Sequence, residues 1–147
     1  MDPVTLHVRP IQAILEECSS LIFSCGVPSR VFEGTTLEGL ARRCGTLLTE
    51  SGGEATAVVC YDSSDFQNHP RRVSVIKVVV ASADTLVRPG AMSALAAAWK
   101  ITDTLDDRVA EAEGVTDHWR VVSEAALDLK GLSDAAVIVL TVEVEDY

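Results

Sequence analysis

The chain has 147 residues, 48% of them hydrophobic and 23% charged, with a formal net charge of −10. That length suits a single domain spanning residues 1–147, since a chain of this size buries roughly 70% of the surface it exposes when unfolded. The acidity excludes a protein that coats nucleic acid or binds anionic membranes, because both need clustered Lys and Arg. The adjacent pairs Arg42-Arg43 and Arg71-Arg72 are too few for a phosphate track.

No apolar run approaches the ~20 residues that span a bilayer. The opening MDPVTLHVRP lacks the basic-then-apolar order of a signal peptide, so synthesis in the cytoplasm is expected. The four cysteines, Cys18, Cys25, Cys44 and Cys60, show no CxxC and no Cys/His pair at zinc-ligand spacing. They read as buried free thiols, with no metal and no cofactor.

In chain order, Pro10 opens a first helix through Cys25, with Ile11, Ile14, Leu15, Cys18, Leu21 and Ile22 on one stripe. Gly26 and Pro28 stop it. A second helix starts at Thr35 or Thr36, where Thr35 and Glu38 have capping-box spacing, and carries Leu37, Leu40, Ala41, Cys44, Leu47 and Leu48. ATAVVCYD (Ala55 to Asp62) reads as a strand.

RRVSVIKVVVAS (Arg71 to Ser82) is a second strand, paired antiparallel with the first. It is apolar on both parities: Val73, Val75, Val79 and Ala81 on one, Ile76, Val78 and Val80 on the other, with Lys77 as the exception. An exposed antiparallel strand alternates, so both of its faces ask for cover.

AMSALAAAWKITDTLDDRVAEAEG reads as one long helix ended by Gly114, with Met92, Leu95, Ala96, Trp99, Leu105 and Val109 inward and Asp103, Asp106 and Asp107 outward. HWRVVSEAALDLK and AAVIVLTVEVEDY then form a hairpin around Gly131 to Asp134. The order α-α-β-β-α-β-β is an α+β fold: a twisted, mainly antiparallel four-stranded sheet with helices on one face. Helices cover one face; little remains for the other or for the strand edges, so assembly with further copies is expected.

Catalytic groups find little support. Cys60 with His69 or His118 would make a thiol enzyme on paper, and DTLDDR (Asp103 to Arg108) a carboxylate or metal patch. The plainer readings are a strand-end cysteine, a loop histidine, a strand-start histidine and a solvated helix face. P-loop, GxGxxG, GxSxG and HExxH motifs are absent. Trp99 reads as core, Trp119 as core or interface.

The sequence of pieces RVFEG, AVVCYDSS, NHPRR, VSVIKVVVAS, ADTLVRPGA, the alanine-rich helix and WRVVSEAALDLKGLSDAAVIVLTVEVED resembles the tail-terminator (tail-completion) proteins of long-tailed bacteriophages, in particular the small Mu-like tail proteins. The resemblance runs from about Ile11 to Asp146 and rests on distributed pattern, with no diagnostic motif. It implies a non-enzymatic structural protein of the virion tail, made in the host cytoplasm. Such proteins form a ring, typically of six subunits, that caps the tail tube, ends its growth and meets head-completion proteins. It carries over no catalytic residue.

On this reading the negative charge lets DNA pass through the ring without sticking. A ring needs head-to-tail contacts between unlike patches. The candidate interface residues are Arg71, Arg72 and Arg88 on one side and Asp103, Asp106 and Asp107 on the other. A small-ligand-binding or regulatory α+β module is the alternative reading, and a thiol enzyme the third.

Overall fold

The computed structural model describes residues 3–17, 31–34, 43, 46, 55–66, 72–83, 93–112, 115–126 and 135–146. A π-helical turn, Val4–Val8, runs into helix α1, Arg9–Glu17; strands β1, Val31–Gly34, β2, Thr56–Asp65, and β3, Arg72–Ala83, follow. Helix α2, Ala94–Leu105, precedes β4, Arg108–Ala112, β5, Val115–Ala126, and β6, Ala135–Asp146. The expected second helix lies outside the described residues except for Arg43 and Thr46, which are helical and exposed.

The fold is α+β, as the pattern of the sequence implies. The sheet, however, has six strands in the order β1-β2-β3-β6-β5-β4, not four. Five are antiparallel, and β1 joins the edge parallel to β2. Both additions are short, and short edge strands limit pairing with other chains. The expectation that the sheet leaves its borders bare is corrected to that extent.

The first helical segment begins before Pro10. VTLHV alternates like a strand, yet it winds as a π turn whose Arg9 N–H donates to the Val4 carbonyl. Pro10, the residue with no N–H, therefore lies inside a continuous helical run, directly after the π turn, and does not open it. Val8, Ile11 and Leu15 extend one buried stripe under the sheet.

The long helix expected from Ala91 to Gly114 is two elements. Ser93 caps the start of α2, its Oγ accepting from the Ala96 N–H at 3.1 Å. The helix stops at Asp106, which is extended, and Asp107 has φ 61°. Aspartate competes with the helix for backbone donors and tolerates this left-handed region better than most residues. The chain reverses there, and Val109, expected on the inner helix face, lies on β4 instead, 61% exposed.

α2 faces the sheet with Ala94, Ala97, Ala98, Ile101 and Leu105. The alanines let its backbone approach closely, and the space is filled from the sheet by Ile76, Val78, Leu140, Val142, Val144 and the fully buried Trp119. Trp99 is consequently turned outward: it is 62% exposed, and the expectation that it is core is corrected. Leu95, one helical turn before it, is 50% exposed.

The outward face of the sheet divides in two. Near one end, Thr56, Val58, Val79, Ala81 and Val137 are buried within a single copy. Toward the other, Val73, Val75, Lys77, Thr141, Glu143 and Glu145 are half-buried, and polar groups increase. The doubly apolar character of β3 is thus met partly inside one chain. The remaining half is the ordinary mixed face of an antiparallel sheet.

Candidate interaction surface

The corner where α2, β4 and β5 meet brings several exposed charged side chains together. Asp106 Oδ1 accepts from the Val121 backbone N–H at 2.9 Å, occupying a position on β5 that a pairing strand would otherwise take. β4 reaches only to the Arg108–Trp119 pair, so this carboxylate is what continues its cover by one step. Asp107 Oδ1 lies 2.7 Å from His118 Nε2, tying the left-handed turn to the outward face of β5. Asp103 is exposed on the outer stripe of α2, four residues beyond Trp99.

Register fixes the rest of the corner. Val109 is opposite His118, and His118 is opposite Glu145. Arg120 is opposite Glu143, and Trp119 between them points to the core. Val109, His118 and Arg120 therefore share the outward face. A β-bulge between Val121 and Ser123 puts an extra residue, Val122, at the margin, 43% exposed. Beyond the bulge, Ser123 to Ala126 are exposed.

Of the candidate interface residues, Arg71 and Arg88 lie outside the described residues. Arg72 is on β3, in register with Asp146, its guanidinium 5.9 Å from the centre of the Phe66 ring. That is cation–π distance. Asp106 and Asp107, read as solvated helix charges, bond within the chain instead. Arg120, absent from the sequence-based set, is an exposed cation of this corner, as is Arg108 on β4; its alternation within RVVSEAA carried the signal, but only the strand register shows its neighbours.

Cys60 and His118 do not form a thiol dyad. Cys60 is buried on β2 and His118 is on β5, with β3 and β6 between, so about 14 Å of strand spacing separates them in addition to the offset along β5 from Ser123, which is level with Cys60, to His118. The Cys60 Sγ–H donates to the Tyr61 carbonyl at 3.3 Å. Burial, with the Asp62 charge nearby, pushes the thiol above its ordinary value of 9.0, so it is a poor nucleophile at neutral pH. Lys77, opposite Cys60 in register, donates from Nζ to Thr141 Oγ1 at 2.8 Å. His69 lies outside the described residues.

Sequence reasoning missed a buried polar pair altogether. His7 on the π turn and Asp117 on β5 meet with Nδ1 3.0 Å from Oδ2, both side chains nearly inaccessible. Asp117 Oδ1 and Trp119 Nε1 are buried without a hydrogen-bond partner among the described residues. The pair fastens the first segment beneath the sheet. Among the described residues no group of three or more His, Cys, Asp or Glu is placed to hold a metal ion, and no helix is long and apolar enough to cross a membrane.

No protein-family model and no curated protein matches the chain.

Proposed function

We propose that the protein is a structural component of a long-tailed phage or prophage tail, a tail-terminator-like subunit. Copies of it form a ring on the tail tube, end tube growth and offer a surface to head-completion proteins. The observation that carries the assembly step is the display of large exposed apolar side chains on more than one element of one chain. Trp99 and Leu95 stand on α2, while Val109 and Val122 stand on the β4–β5 corner. Isolated exposed apolar residues are common, but an exposed tryptophan beside a leucine is the composition of a contact surface. The tail assignment itself comes from the resemblance in sequence pattern.

The role needs no catalytic group. A net charge of −10 suits a passage through which DNA slides without adhering, since like charge repels the phosphates. The test is to purify the full chain with and without phage tail tubes and image both by electron microscopy. Rings of uniform diameter that seat on tube ends are expected. A chain that stays single at micromolar concentration and ignores tube ends would overturn the proposal. Genes for tail-sheath and tail-tube proteins beside its own are expected as well.

A further inference from the structure

We infer that one copy docks the outer stripe of α2, formed by Leu95, Trp99 and Asp103, onto the β4–β5 corner of the next copy, formed by Val109, Val122 and Arg120. The inference deepens the assembly reading above by naming the two surfaces, and it rests on that reading.

The two patches complement each other in charge as well as in apolar character. The α2 stripe is apolar for one turn and ends in an exposed acid, Asp103. The corner is apolar at Val109 and Val122 and carries two exposed bases, Arg108 on β4 and Arg120 on the same outward face as Val109, while its exposed acids Asp106 and Asp107 bond to the Val121 N–H and to His118. With a net charge of −10, copies repel at long range, so a contact that sets acid against base removes a penalty that acid against acid would add.

Self-pairing of either patch fits less well. If two α2 helices met antiparallel around Trp99, Leu95 of one copy would face Asp103 of the other, apolar against charge. Edge-to-edge pairing of β5 is hindered by the Asp106 carboxylate on the Val121 N–H and by the adjacent bulge. That bulge also sets Arg120 opposite Glu143 on the outward face but Glu124 opposite Leu140 on the core-facing side, so the two charges cannot pair across a β5–β5 ladder. Unlike patches on one chain make a head-to-tail contact, which closes into a ring or grows into a filament.

The experiment uses two full-length single variants, Trp99→Glu and Val122→Glu, with light scattering for mass. Retained circular dichroism shows that each is folded. Wild type is expected to form a discrete assembly, and each variant alone to be a monomer. Mixed, they are expected to form a one-to-one dimer, because Trp99→Glu keeps an intact corner and Val122→Glu an intact helix stripe. Either variant assembling fully on its own, or no dimer in the mixture, would overturn the inference. The charge pair is read separately: Asp103→Arg and Arg120→Asp should each weaken assembly at least tenfold, and the double exchange should restore it. Rings that persist in both single variants would remove this interface and leave the tail role standing. Head-to-tail assembly with no affinity for tube ends would do the reverse.

Discussion

His7 and Asp117 are 110 positions apart in the chain and 3.0 Å apart in the fold. The pair joins the first turn of the protein to the far side of its sheet, in a place where neither side chain reaches water. Removing one partner leaves a buried polar group uncompensated, which costs about 1–3 kcal/mol. Replacing both by leucine removes the need for compensation and costs far less. Urea unfolding of His7→Ala, Asp117→Ala and the double leucine variant checks this. Single variants losing under about 1 kcal/mol, the range of exposed pairs, would show that the pair is solvated.

A second prediction concerns the turn that ends α2. Asp107 is the only non-glycine with positive φ among the described residues, at 61°. A side chain costs about 1–2 kcal/mol in this region, less for Asn and Asp. Asp107 also gains the bond to His118. Asp107→Ala is expected to be the least stable variant, because it keeps the Cβ strain and loses the bond. Asp107→Gly should recover about 1 kcal/mol of that through backbone freedom, and Asp107→Asn should lie nearest wild type. Thermal midpoints of the three variants give the ranking.

Much of the core was legible from residue pattern alone. Ile138, Leu140, Val142 and Val144 share a parity in the last strand, and Leu140, Val142 and Val144 are fully buried. What period does not encode is which of two apolar stripes on α2 turns inward. Leu95 and Trp99 are the larger residues, yet Ala94, Ala97, Ala98, Ile101 and Leu105 win because small side chains bring the helix close to the sheet. Local charge also hid the turn at Asp106 and Asp107, whose role depends on Val121 and His118, both later in the chain. The His7–Asp117 pair was invisible for the same reason: its partners are joined only by the fold.

The thiol of Cys60 supplies a pH prediction. Its folded pKa lies above the ordinary 9.0, chiefly through burial and further through Asp62. The neutral form is thus favoured in the folded state. The resulting stabilisation is fully present below 9.0 and is lost as pH rises through the folded value. Alkylation of Cys60 in the folded protein is expected to be slow at neutral pH and to accelerate only above the range of a free thiol. Asp62→Asn should shift the rate profile to lower pH without changing the fold. A profile that matches a free thiol would show that Cys60 is not desolvated.

The two tryptophans make assembly visible in fluorescence. Trp119 is fully buried and Trp99 is 62% exposed in a single copy. Trp99→Phe leaves only the buried indole, and its emission is expected to be blue-shifted and resistant to iodide at any protein concentration. Trp119→Phe leaves only the outer indole. Its emission should be red-shifted and quenched by iodide when the protein is dilute, then shift blue and become protected as copies associate. High salt should delay that change to higher protein concentration, because it screens the contact between Asp103 and Arg120. An outer indole that stays quenchable while the mass rises would place the contact between copies elsewhere.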